Sequence, residues 1–355
     1  MPGLVVMGAK SADAPYRVGF LLVPEYSQLA FASALETLRM ANQVAGRTLY
    51  DWFVLTVDGE PVAASNGLRL ADPLATATAP ALDLVLVCGG VEIQEHADTA
   101  TLRWIRALAR QGTALGALCT GTYLLALAGV LDDRRCTLHW KNISSVNESM
   151  RFPRTIFSQE LFVIDRDRYT SSGGIAPLDM MLHLVVRQHG LELAETIAEE
   201  FLHERIREVN ERQRMPLHVR LGTSQPKLVE VATLMEANIH EPLSPDELAS
   251  HAGISRRQLE RLFQRYLRCT PSRYYLDLRL NRARQLLLQT EMPVTDIAIA
   301  CGFVSPPHFT KCYHDRYDHA PKDERRQHRA RLREQQSVEG DPDAPTPPAS
   351  NDTGG

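Results

Sequence analysis

The chain has 355 residues, 44% hydrophobic and 23% charged, with a formal net charge of −4. That length exceeds one ordinary compact domain and suits two with tails, and the composition excludes a wholly disordered, collagen-like or coiled-coil chain. The charge is uneven. Residues 221–335 hold 18 basic and 14 acidic side chains, residues 1–220 hold 21 and 25, and residues 336–355 hold four acidic and no basic ones. An acidic front and a basic back imply different partners.

Residues 1–15 lack a basic-then-apolar leader pattern and are expected to be a disordered N-terminus. Arg17–Val23 (RVGFLLV) reads as a buried strand ending at Pro24. Leu29–Val44 carries Leu29, Ala32, Leu35, Leu38 and Ala41 at helical spacing. Trp52–Val57 and Leu82–Val87 are the next strands, the latter stopped by Gly89-Gly90. Thr99–Gln111 is an amphipathic helix; Ala114–Leu118 is a strand that turns at Cys119-Thr120-Gly121 into a helix at Tyr123–Ala128. Phe162–Ile164 and Tyr169–Ser171 add strands, and Pro177–His189 and Leu193–Arg214 are helices. Alternation of strand and helix predicts an open, mostly parallel α/β sheet covered on both faces, over residues 16–214. Pro216, Gly222 and Pro226 place a linker at 215–226.

From there the pattern is helical over 227–335: Lys227–Asn238, Pro245–Ala252, Arg256–Leu267, Ser272–Gln289, Val294–Cys301, Pro307–Tyr317 and Asp323–Gln335. The Pro/Gly/Asp-rich residues 336–355 have nothing to bury and are expected to be disordered. No apolar run reaches the ~18 residues of a membrane span. Six scattered cysteines without a CxxC pair argue against a zinc site and read as reduced thiols of a cytoplasmic protein. No metal and no cofactor is expected.

The chemistry of the second half lies in a repeated pattern. Ser244 is a helix cap with Glu247 three residues on, Gly253 supplies a left-handed turn, and Ile254 fills the gap between helices. Ser255 then caps a helix whose apolar face is Leu259, Leu262 and Phe263 and whose other face carries Arg256, Arg257, Glu260 and Arg261. This arrangement places a second helix in a DNA major groove. About 50 residues later Val294–Cys301, Gly302, Phe303 and Ser305-Pro306-Pro307 repeat it, with His308, Thr310 and Lys311 on the following helix. The 18 residues of Ser272–Gln289 span roughly 27 Å, close to the ~34 Å of one duplex turn. One subunit can thus reach two successive major grooves. The competing reading is a helical bundle with a merely solvated basic surface.

The segments PLSPDELASHAGISRRQLERLF, TPSRYYLDLRLNRARQLLLQT and VTDIAIACGFVSPPHFTKCYHDRY closely resemble the AraC/XylS family of transcription regulators, over about Pro226–Arg325. The resemblance implies that Arg257, Glu260 and Arg261 face bases in one groove and His308 and Lys311 in the other. Tyr317-Asp318 stand where that family usually has Phe-Gly, and Pro306-Pro307 where it commonly has small or polar residues, so direct readout is expected mainly from the first unit.

In the first half, VLVCGG (85–90) and ALCTG (117–121) both sit at strand ends, which border ligand crevices in open sheets. A helix N-terminus favours the Cys119 thiolate, which makes it a candidate nucleophile; the alternatives are a ligand-lining residue or a small residue dictated by the turn. GALCTGTYLLALAGVLDDRRCTLHW and TSSGGIAPLDMMLHLVVRQHG resemble the PfpI-like branch of the class I glutamine-amidotransferase-like superfamily, and the whole chain resembles a GlxA-type regulator. The resemblance implies a flavodoxin-like, amidotransferase-like sensor whose pocket is lined by Gly90, Cys119, Thr120, His139, Trp140, Ser172 and Gly173. For Trp140 and His139 ordinary core roles stay open, and Lys141 replaces the acidic residue of many relatives. Thr120 stands where PfpI-like hydrolases have His, and Ala30 where related members have a carboxylate. Both proton-transfer partners are absent, so a non-catalytic domain is expected.

The expected function is a sequence-specific, DNA-binding transcriptional activator with a small-molecule sensor. Its expected partners are double-stranded DNA, a small effector, RNA polymerase and a second copy of itself, with no membrane. GGIAPLDMML and FLHERIREVNERQR resemble the subgroup that senses amino acids and methylated amines, implying a nitrogen-containing effector. An amidase-like or hydratase-like cysteine enzyme tethered to DNA is the alternative, and an architectural DNA-binding protein the third reading.

Overall fold

A computed structural model describes residues 14–148, 151–213 and 217–339. The expected tails, 1–15 and 336–355, fall mostly outside them. Two units are present, divided after residue 215. In chain order the first comprises β1 (Tyr16–Leu22), α1 (Gln28–Ala45), β2 (Tyr50–Thr56), β3 (Leu74–Ala75), β4 (Leu84–Cys88), α2 (Thr99–Gln111), β5 (Ala114–Leu118), α3 (Thr122–Leu127), β6 (Arg135–Thr137), α4 (Trp140–Glu148), β7 (Ile156–Ser158), β8 (Phe162–Asp165), β9 (Arg168–Ser171), α5 (Ala176–His189) and α6 (Leu191–Glu200).

Among the described residues, seven strands form one sheet in the order β3-β2-β1-β4-β5-β9-β8. Every pairing in it is parallel except β8 with β9. The central strands β4 (LVLVC) and β5 (ALGAL) are apolar throughout because both faces are covered. Val18, Phe20 and Leu22 of β1 enter the core that holds α1, α5 and α6, while Leu21 enters the opposite core with α2 and α3. Ser27 caps α1 and Asp98 caps α2, and left-handed Gly46 and Gly112 end them. The strand order reverses between β1 and β4, the switch point outside whose strand ends open α/β sheets hold their ligands.

The second unit runs α7 (Leu217–Arg220), α8 (Pro226–Ala237), α9 (Pro245–His251), α10 (Arg256–Leu267), α11 (Pro271–Gln289), α12 (Val294–Ala300), α13 (Pro306–Tyr317) and α14 (Pro321–Glu339). It has two cores. One gathers Leu228, Val231, Leu248, Leu259, Phe263 and Tyr275; the other gathers Leu280, Ala283, Leu286, Ile297, Phe303, Phe309 and Tyr313. The long α11 contributes to both.

Two local expectations are corrected, and some short elements are added. The helix expected to run from Leu193 to Arg214 ends at Glu200, and residues 201–213 leave it as an irregular segment. In a helix the Arg207 N–H would be spent on the carbonyl four residues back; here it donates to buried Asp179 (2.7 Å). The segment expected to be a linker, 215–226, contains α7, whose following Leu221 packs against the first core of the second unit, while Arg220 pairs with Glu236; residues 215 and 216 lie outside the described set. β3, the small parallel β6–β7 pair and α4 were not foreseen, being too short or too polar for a periodic signal.

Candidate effector crevice and nucleic-acid interface

Gly90 follows β4, Cys119 follows β5, and Ser172 and Gly173 follow β9, so the sheet brings these positions to one end. Cys119 adopts φ +59°, the strained left-handed conformation of a strand-to-helix elbow. Backbone from three loops closes on it. A Cβ at Gly121 would stand 2.1 Å from the Val87 carbonyl oxygen, and one at Gly173 2.8 Å from the Cys119 Cβ. Only glycine permits that approach. Thr120 is buried and its hydroxyl donates to the Gly90 carbonyl (2.6 Å), tying the elbow to the β4 loop. Ala30, on α1, is buried in the apolar core.

Burial pushes the Cys119 thiol up to about 11, and the backbone hydrogen bond from Thr120 only partly offsets this. Desolvation thus opposes the thiolate that a helix N-terminus was expected to favour. At pH 7 roughly one such thiol in ten thousand is ionised. Iodoacetamide labelling of Cys119 in the folded chain, followed by mass spectrometry, is expected to be slow at pH 7. It should then rise about tenfold per pH unit towards 11. Rapid labelling at neutral pH contradicts the burial argument.

His139 and Trp140 stand at the start of α4, both half-buried, with ring centroids 5.8 Å apart. They follow Thr137, whose carbonyl accepts from Thr122 at the head of the elbow helix (2.7 Å). Burial and the nearby Lys141 lower the His139 pKa below the ordinary imidazole value, favouring neutral histidine. The exposed Lys141 ammonium lies 5.7 Å from the Trp140 ring centroid. After β1, Glu25, also left-handed (φ +61°), accepts at its carbonyl from Val91 N (3.1 Å). Burial, then Glu25 and Glu95, raise the Glu92 carboxyl above its usual range.

Sequence reasoning missed the anchor behind this crevice. Asp179, fully buried in the first turn of α5, accepts from His203 Nε2 (2.9 Å), Arg207 Nε (2.8 Å) and Arg207 N. Farther on, Leu161 N donates to Glu211 O, and Gln213 Nε2 donates to Thr137 Oγ1 (2.8 Å) and Leu138 O (2.9 Å). The segment leaving the first unit is thus bonded both to α5, which follows Gly173-Gly174, and to the residues just before His139. An aspartate inside the apolar run PLDMML was the available signal, because a buried carboxylate needs donors.

In the second unit both helix-turn-helix motifs form as expected. Ser244 with Glu247 and Ser255 with Gln258 each make a capping box, and Gly253 takes φ +63°. In the repeat, Ser305 caps α13 by accepting from His308 N (3.5 Å), Gly302 takes φ +72°, and Phe303 is buried. Arg256, Arg257, Glu260 and Arg261 are all exposed on α10. Arg256 is held by Glu260 (3.2 Å) and Asp246 (3.3 Å), whereas Arg257 and Arg261 make no ion pair among the described residues. His308 and Lys311 are exposed on α13, and His308 Nε2 lies 3.3 Å from the Cys312 sulfur.

Residues 16–187 match the DJ-1/PfpI family and residues 248–327 a helix-turn-helix domain family. Over 311 residues the chain is 54% identical to the HTH-type transcriptional regulator GbdR of Pseudomonas aeruginosa, covering 88% of this chain and 84% of the relative. The chain belongs to the HTH-type transcriptional regulators. The regulator is also 36% identical over 311 residues to the HTH-type transcriptional regulator GlxA of Rhizobium meliloti, covering 87% of this chain and 95% of that one. It is also 28% identical over 182 residues to an isonitrile hydratase of Pseudomonas putida, covering 51% of this chain and 75% of that one. In this regulator a DJ-1/PfpI domain precedes an AraC-type helix-turn-helix domain, and DNA is its partner. No described helix is long and apolar enough to cross a membrane.

Proposed function

We propose that this DNA-binding regulator activates transcription in response to a small nitrogen-containing metabolite, an amino acid or methylated amine, held at the elbow crevice. The observation that carries the DNA half is the pair of capped recognition helices, α10 and α13, with Arg257, Arg261 and Lys311 exposed. Arg256 and Glu260 shape the first contact surface, and His308 joins Lys311 in the second. Gly90, Cys119, Thr120, Ser172 and Gly173 line the crevice, with His139 and Trp140 beside it. The regulator works in the cytoplasm as a homodimer and engages RNA polymerase. The sensor is proposed to run over 16–214 and the DNA-binding domain to 335, the latter beginning with α7 at 217 rather than at 227.

The sensor is proposed to be non-catalytic. Supporting this are a protonated Cys119 thiol, a Thr120 hydroxyl engaged with Gly90, and a buried Ala30 where acid–base chemistry needs a carboxylate. The competing reading, a hydratase-like cysteine enzyme, is favoured by the likeness to isonitrile hydratase. Melting of the full chain against a panel of amino acids and methylated amines separates them. A saturating effector at ~100 times its Kd is expected to add about 2.7 kcal/mol of stability without being consumed. Loss of the compound at rates proportional to enzyme supports the hydratase reading, and a panel with no shift removes this effector class.

A further inference from the structure

The two recognition helices belong to separate cores, joined by α11. Their mutual angle therefore depends on what fixes the turn after α12 to α11 and to the first core. Arg279, half-buried midway along α11, does the first. Its Nε donates to the Cys301 carbonyl (2.8 Å) and its Nη2 to the Gly302 carbonyl (2.6 Å), satisfying carbonyls at the end of α12. Its guanidinium also stacks over Phe303, 4.1 Å from the ring centroid. Phe303 in turn packs against Phe309 (5.0 Å) and His308 (6.0 Å) of α13.

The first core meets the same turn from the other side. A Cβ at Gly302 would stand 2.6 Å from the Ile239 carbonyl oxygen and from Pro242, so the loop before α9 lies directly on this glycine. Tyr275, one helical turn before Arg279, holds that loop by donating to the Asn238 carbonyl (2.6 Å) and accepting from Leu243 N (3.4 Å). A half-open groove of about 160 Å³, bordered by Pro242, Leu243, Pro271, Tyr275 and Arg279, lies beside the junction. Directional bonds carry the alignment that dispersion contacts leave open there.

We propose that Arg279 is a positioning residue that sets the angle between α10 and α13, and with it the half-site spacing this regulator reads. The inference rests on the reading that both helices enter DNA. Lysine retains the charge but lacks the planar fork that serves two carbonyls and stacks on a ring.

The test uses the full-length chain and duplexes that the wild-type chain selects from a random-sequence pool. Wild type, Arg279→Lys and Arg279→Ala are compared on the selected site, on the same site with its half-sites moved by one base pair either way, and on a duplex keeping only the first half-site. Arg279→Lys is expected to bind the single half-site like wild type. At the selected spacing it should lose roughly tenfold, with its preference for that spacing flattened or moved. If Arg279→Ala fails to fold, Arg279→Lys carries the test. Unchanged spacing preference in the lysine variant overturns the proposal. So does a parallel loss on the single half-site, which marks a merely structural role. A wild-type chain that selects only one half-site overturns the two-helix reading and the proposal with it.

Discussion

Asp179→Ala is expected to lower the melting temperature of the first unit by roughly 6–20 °C. The carboxylate is fully buried and has three donors, two from Arg207 and one from His203. Alanine strands those donors in a region with little water. Breaking a buried pair in this way costs about 3–5 kcal/mol, and a unit of this size loses about 2–4 °C per kcal/mol. Asp179→Asn keeps the shape and one acceptor oxygen, so its loss should be smaller. The same bonds hold residues 203–207 against α5, so amide exchange across 201–213 should accelerate in the alanine variant. A melting point within about 2 °C of wild type, a loss of at most about 1 kcal/mol, removes Asp179 as the anchor of this segment.

Arg261→Ala is expected to weaken binding to the selected operator roughly five- to 150-fold, with relaxed preference at one base position. Arg261 is exposed on α10, two turns or less from its capped N-terminus, and makes no ion pair among the described residues. Its guanidinium therefore reaches DNA without first breaking a protein contact. Arg256 differs, since it must leave Glu260 and Asp246; Arg256→Ala is expected to cost less. The readout is affinity on the operator and on variants substituted base by base, at several salt concentrations. A phosphate contact instead lowers affinity for all sequences alike and makes the salt slope shallower by about one. That uniform outcome would assign Arg261 to the backbone and leave base readout to Arg257 and Glu260.

Much of the second unit was legible in the sequence because its signals are local. Ser244, Ser255 and Ser305 cap helices by bonds to residues three positions on, and Gly253 and Gly302 supply left-handed turns. Such interactions need no knowledge of the rest of the chain. Alternation of apolar strands and amphipathic helices likewise announced a covered, mostly parallel sheet, and Thr99–Gln111, Ala114–Leu118 and Arg256–Leu267 form with the boundaries read from the pattern. Glycines at the strand ends pointed to the elbow.

The remainder depends on groups distant in sequence. Burial pushes the Cys119 thiol up, and the backbone that closes on it includes Gly173, 54 positions later. The course of residues 201–213 is decided by Asp179, because a carboxylate sealed in a core must find donors, and it takes them from a segment whose local pattern favours helix. The angle between the recognition helices is decided at a seam where Arg279, Gly302 and the Ile239–Pro242 loop converge. Sequence alone thus determined the elements and the chemistry they can present, since both follow from neighbours within one helical turn or one pleat. Tertiary structure decided protonation, chain exit and spacing, because each is set by desolvation or by a directional bond between residues that only folding brings together.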